Sequence, residues 1–177
     1  MVPAARRDSL MSMAIKTLLA PDEYLTTSFD NPEPDYVNGE LVERSVPNFS
    51  HARTQTLLGD AFRPWDERNQ LFRATEIRFP VAPDRFRVAD FAVFLSEQSD
   101  LPGDKPYAIV EIVSPDDRHE DLISKLRDYE KAGIEFIFVA DPPFRSISRF
   151  RLGDLLSVSS IDLPRYGVSI PAETIFH

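Results

Sequence analysis

The chain has 177 residues, 42% of them hydrophobic and 28% charged, with a formal net charge of −9 and no cysteine. Its length and apolar share suit a single domain with a sizeable core, and the lack of cysteine excludes disulfides, thiolate nucleophiles and Cys-ligated zinc and fits a reducing, cytoplasmic setting. The acidic balance argues against a general nucleic-acid binder, whose domain is normally basic, although seven of the acids lie in residues 22–43, which hold no Lys or Arg, and residues 144–165 are locally positive.

In chain order, "MVPAARRDSLMSMAIKTLLAPDEY" is unlike a signal peptide, because its apolar stretch is interrupted by Lys16 and stopped by Pro21. Residues 1–17 are expected to be a flexible N-terminal segment, followed by one domain over 18–177. "LLAPDEYLTTS" predicts a short helix with Pro21 in its first turn. "DYVNGELVER" places Asn-Gly between two β-prone runs, the strongest local hairpin signal. "SHARTQTLLGDAFRPWDE" predicts a helix capped by Ser50, with Leu57, Leu58, Ala61, Phe62 and Trp65 on its buried face. "LFRATEIRFPV" and "RFRVADFAVFL" predict strands joined by Ala-Pro-Asp, and residues 107–113 a further strand. "DDRHEDLISKLRDYEKAG" follows as a helix capped by Asp116 or Asp117 and ended by Gly133. "IEFIFVADPP" is another apolar strand, and residues 144–176 read as short strands and a final turn. Strand, strand, helix, strand implies an α/β domain whose sheet has at least one parallel crossover. No run of about 18 apolar residues exists to span a membrane.

Three charges interrupt this pattern. Glu111 lies inside the apolar run "AIVEIV", where an unpaired carboxylate has an idealised cost on the order of 20 kcal/mol; its partner is a cation, an arginine or a proton. Asp90 begins the apolar run of the neighbouring predicted strand. If the strands are adjacent the two acids converge, so that one holds a proton or a divalent metal lies between them. Hard oxygen donors, without Cys or a His cluster, favour Mg²⁺ or Mn²⁺ over zinc. Lys125 falls between Leu122 and Tyr129 inside the apolar stripe of the next helix, where it either snorkels outward or meets an acid. One centre explains all three: two carboxylates hold a divalent ion, and a lysine orients the attacking water or stabilises developing charge. Singly, each has a plainer explanation, a salt bridge, a strand cap and a surface lysine respectively.

In this order the residues resemble the PD-(D/E)xK superfamily and, more closely, the Uma-type family of bacterial endonucleases, a restriction-endonuclease-like group. The resemblance runs from about residue 18 to 176 and rests on "DYVNGELVER", "SHARTQTLL", "VADFAVFL", "AIVEIVSPDDR", "DLISKLRDYEKAGIEFIFVADP" and the closing arginine-rich strand. It implies a mixed central β-sheet flanked by α-helices, Asp90 and Glu111 as metal ligands, and DNA as substrate. Ala89 stands where the motif has proline, and Val113 where it has lysine; Lys125 fits a lysine relocated to the adjacent helix. The resemblance also implies a supporting acid at Glu40, otherwise a solvated hairpin residue. His51, in the first turn of its helix, is a candidate for an ancillary phosphate or metal-water contact. Glu76, Asp121 and Asp141 are expected to be structural: a strand-face charge, a partner for Lys125 and a strand-ending turn.

Two rivals stay open: a nuclease fold kept as a binding or assembly module, and the same chemistry on RNA or a small phosphoester. No glycine-rich phosphate loop or nucleophile elbow is present. A homodimer is one arrangement that would serve a duplex substrate.

Overall fold

The computed structural model describes residues 18–30, 32–100, 103–115 and 118–176. The segment expected to be flexible, 1–17, and the helix cap expected from Asp116 or Asp117 lie outside the described residues.

A short helix α1 (Pro21–Thr26) precedes the hairpin of β1 (Asp35–Val37) and β2 (Glu40–Val42). Asn38 and Gly39 both adopt positive φ, 52° and 89°, which is what a two-residue hairpin turn demands and why Asn-Gly occupies it. Tyr24 of α1, Tyr36 of β1 and Phe86 form a small aromatic cluster, and the Tyr36 hydroxyl donates to the Leu19 carbonyl at 2.7 Å. The hairpin is thereby fixed to the body of the protein.

Helix α2 (Phe49–Asp66) is capped by Asn48, whose side chain accepts from the His51 N–H, and not by Ser50 as expected. The helix begins before Ser50, whose hydroxyl instead donates to the Asn48 carboxamide oxygen. Strands β3 (Phe72–Ala82) and β4 (Arg85–Phe94) form a long hairpin, followed by β5 (Ala108–Ile112), helix α3 (His119–Lys131) and β6 (Phe136–Asp141). Asp90 is mid-strand in β4. Helix α3 ends where the sequence places Gly133: at φ 77° it lets its own N–H reach the Glu130 carbonyl and the Ile134 N–H reach that of Tyr129. Strands β7 (Ser146–Arg151), β8 (Asp154–Val158), β9 (Ser160–Leu163) and β10 (Val168–Pro171), with a terminal turn of helix α4 (Ala172–Ile175), complete the chain.

Eight strands form one mixed sheet in the order β2-β1-β4-β5-β6-β7-β8, with β3 also paired to β4. The expected crossover is β5–α3–β6, a parallel pair within otherwise antiparallel neighbours. Alternation along β5 and β6 divides the core between the two faces. Val110, Ile112, Phe138 and Ala140 pack with Leu58 and Phe62 of α2, while Ile109, Ile137 and Val139 pack with Leu126 and Tyr129 of α3. Glu111 shares the parity of Ile109 and so faces α3. Among the described residues no helix is long and apolar enough to cross a membrane.

Candidate active site

The site begins with a fork in the sheet. Strand β3 pairs along β4 from end to end, so β1 and β5 share the other edge, β1 at Arg85 and Phe86 and β5 at Phe91–Val93. Between them, among the described residues, no strand neighbours residues 87–90 on that edge. Buried backbone groups at such a gap must be satisfied by side chains. The Val88 N–H donates to Asp35 Oδ1 at 2.8 Å, and the Ile112 N–H donates to Asp90 Oδ2 at 2.8 Å. The fork opens into a cleft of about 630 Å³ whose walls include Arg44, His51, Asp90, Glu111, Arg118 and Lys125.

Glu111 is 4% exposed. Its Oε2 accepts from Lys125 Nζ at 2.7 Å and its Oε1 from the Tyr129 hydroxyl at 2.7 Å. Both donors project from the buried stripe of α3. Burial works against the charge on Lys125, but Glu111, Asp35 and Asp90 together outweigh it and the pKa of the ammonium is raised. Burial and the Glu111 charge hold the Tyr129 phenol well above its ordinary pKa, so it remains a donor. The helix is itself locked in place by Asp128, which binds Arg87 at 2.6 Å and Arg85 at 2.7 Å, while Arg87 also binds Asp35 at 2.9 Å. Tyr129→Phe is expected to destabilise the protein by about 1–3 kcal/mol, the worth of a buried hydrogen bond to a charged group. Urea unfolding measures this, and an unchanged midpoint would mean the phenol does not hold Glu111 in solution.

Asp90 follows the register one step beyond the Phe91–Val110 pair and therefore lies across from Glu111. Its Oδ1 accepts from Arg44 at 2.5 Å, and His51 Nε2 is 3.8 Å from the same oxygen. Arg44 also binds Glu76 at 2.7 Å, and Gln55 donates both to Glu76 Oε1 at 2.9 Å and to the Asp90 carbonyl at 2.8 Å. One ligand atom each of His51, Glu76 and Asp90 lie within 4.8 Å of one another. Glu76 is therefore more than the strand-face charge expected of it. It stands opposite Asp90 between the Thr75–Phe91 and Ile77–Ala89 pairs, with φ 49°. A non-glycine residue in that region costs on the order of 1–3 kcal/mol.

Burial first, and the Glu111 charge second, push Asp90 up to about 8, although Lys125, Arg44 and the Ile112 N–H pull the other way. Because this pKa is above the ordinary 3.8, the associated stability is fully present at acid pH and is lost as pH rises towards 8. Asp90→Asn carries no such proton. In metal-free protein its Tm relative to wild type should rise between pH 4 and pH 8, by at least the roughly 2–4 °C that 1 kcal/mol gives in a domain of this size. Parallel Tm profiles would contradict the raised pKa.

The structure thus brings Asp90, Glu111 and Lys125 to one cleft, with His51 beside Asp90 and its Nδ1 3.0 Å from the Ser114 hydroxyl. Glu40, paired across the hairpin with Val37, is not among the cleft's lining residues. Asp121 lines the cleft, but the ion pair of Lys125 is with Glu111. Asp141 ends β6 as expected, its carboxylate facing the Phe144 N–H. Sequence reasoning missed Arg44, Glu76 and the Asp35–Arg87–Asp128 network. Asp128 alone left a signal, as a charge on the buried side of α3.

A family profile described as "Putative restriction endonuclease", Uma2, matches residues 21–173. The chain belongs to the Uma2 family. A solved structure, that of "a putative nuclease belonging to DUF820" from Anabaena variabilis, superposes with a TM-score of 0.77 at 17% identity, over 88% of this chain and 96% of that one. At that identity the likeness concerns the fold, and it is the mixed, helix-flanked sheet that the Uma2 resemblance implies. None of the curated proteins compared with the chain matches it.

The donor set suits a hard divalent cation. Asp90 and Glu111 offer carboxylate oxygens on adjoining strands, no cysteine is present, and two buried acids raise one another's need for a counter-charge.

Proposed function

We propose that this Uma2 member is a Mg²⁺- or Mn²⁺-dependent endonuclease that hydrolyses phosphodiester bonds in DNA, with Asp90 and Glu111 as metal ligands and Lys125 as the amine beside the reacting centre. The observation that carries this is the placement of Asp90 across from Glu111 in the β4–β5 register, both lining one cleft, with Lys125 2.7 Å from Glu111. A bound divalent ion supplies polarisation of the phosphodiester and a lowered pKa for the attacking water. Tyr129 and Lys125 fix the Glu111 carboxylate, and the Ile112 N–H fixes that of Asp90. The Lys125 ammonium, held charged by Glu111, orients the water and offsets charge developing on the phosphate. His51 lines the same cleft near Asp90 and is placed for an ancillary contact. Glu40 is not among the cleft's lining residues and any support it gives is indirect.

One observation favours a second reading, a nuclease fold retained as a binding module: both acids already have cationic partners, Arg44 and Lys125. Supercoiled plasmid separates the two. The purified chain should nick it only with Mg²⁺ or Mn²⁺ present, EDTA should stop the reaction, and Asp90→Ala should abolish it. Saturable Mn²⁺ uptake by calorimetry should accompany the activity, whereas a binding module with a relic site would take up no Mn²⁺ and leave the plasmid intact.

A further inference from the structure

Arg44 is not one of the residues that the nuclease motif supplies, yet it makes the shortest ion pair to Asp90. It lies in the irregular segment 43–48 between β2 and α2, lines the cleft, and bridges two acids, Glu76 at 2.7 Å and Asp90 at 2.5 Å. A guanidinium cannot shed its proton to leave, so any other cation that takes Asp90 Oδ1 must displace it bodily. The backbone of 43–48 belongs to no strand or helix, so such a move breaks no ladder hydrogen bond.

Glu76 is built to receive it. Its positive φ turns the carboxylate out of the regular strand pattern, and Gln55 holds the oxygen that Arg44 does not use. Crowding at Asp90 favours exchange over addition. Glu76, Asp90 and Glu111 face Arg44 and Lys125 across this buried cluster. A divalent ion added with Arg44 still on Asp90 would crowd two cations onto one oxygen. With Arg44 retained by Glu76 alone, each carboxylate keeps its own cation.

We propose that Arg44 holds the place of the divalent ion at Asp90, and that Glu76 keeps the displaced guanidinium at the cleft wall once the ion binds. Arg44 and Glu76 are then positioning residues that set how readily the metal enters. This rests on the metal site proposed above, and the test separates the two.

Mn²⁺ affinity is measured by calorimetry for wild type, Arg44→Gln, Glu76→Gln and the double variant. Arg44→Gln should bind Mn²⁺ about tenfold tighter or more, the worth of one charge-assisted hydrogen bond no longer competed for. Glu76→Gln should weaken binding, because the displaced guanidinium loses its acceptor, and that loss should vanish in the Arg44→Gln background. In wild type, which avoids any folding defect of the variants, the Arg44 Nε–H resonance should shift on saturation with Mg²⁺. Equal or weaker affinity in Arg44→Gln, equal or tighter affinity in Glu76→Gln, a Glu76→Gln loss that persists in the Arg44→Gln background (which would make Glu76 a ligand), or an unmoved Arg44 resonance in Mg²⁺-saturated protein overturns the exchange and leaves the metal site standing. No uptake by any of these proteins overturns the metal site and the exchange together.

Discussion

Glu111→Gln is expected to abolish Mn²⁺-dependent plasmid nicking, with a loss greater than the ~10–100-fold that outer partners of a metal site typically cost. The substitution keeps the shape of the side chain and an oxygen that accepts from Tyr129, and it removes the charge. That charge is the reason a strand buried on both faces carries a carboxylate at all. The substitution also strands Lys125, a residue 8% exposed whose ion pair is with Glu111, so activity must be read beside a circular dichroism spectrum. Adding Lys125→Met to Glu111→Gln removes both charges together. This double variant should fold, because replacing a whole buried pair is often neutral or stabilising, and it should be inactive. A folded double variant that nicks plasmid at the wild-type rate would remove Glu111 from the chemistry.

Lys125→Met alone is expected to be the most destabilising single change in the site, by about 3–5 kcal/mol, because it leaves Glu111 ionised and unpaired in the core. Tyr129 would remain as a donor, but one neutral hydrogen bond does not offset a buried carboxylate. Chemical denaturation of wild type, both single variants and the double variant forms a thermodynamic cycle. The double variant should recover most of the loss seen in Lys125→Met. Additive losses would mean that the 2.7 Å pair is not formed in solution.

Much of this centre can be read without coordinates because its parts violate local patterns. Glu111 interrupts an apolar run, and Lys125 interrupts a helical stripe of Leu122, Leu126 and Tyr129; each violation is visible within a few residues. The neighbourhood of β4 and β5 then follows from chain order, and the register does the rest. Arg44 offers no such clue. It is an arginine in a polar loop, 46 residues from Asp90 and 32 from Glu76, and only the folded sheet brings the three together. Glu76 looks like an outward strand residue because period-two alternation assumes extended backbone, and its positive φ breaks that assumption. Arg87, Asp35 and Asp128 are similarly remote, at separations of 52 and 41 residues from Arg87. The helix cap was misplaced for a local reason: Asn48 and Ser50 are both good caps, and the choice depends on where the preceding loop leaves the backbone. Glu40, the hairpin acid that the resemblance implies, is not among the cleft's lining residues, which on that side include Asp35 and Val37 of β1, Val42 of β2, and Glu43 and Arg44 just beyond it.

The most direct measurement is a crystal soaked in Mn²⁺, with anomalous differences collected near the manganese edge. A peak within coordination distance of an Asp90 oxygen and a Glu111 oxygen, with Arg44 withdrawn from Asp90 towards Glu76, is the predicted result. An undisturbed Arg44–Asp90 pair and no peak in the cleft, in crystals whose protein takes up no manganese in solution, would contradict the divalent-ion centre itself.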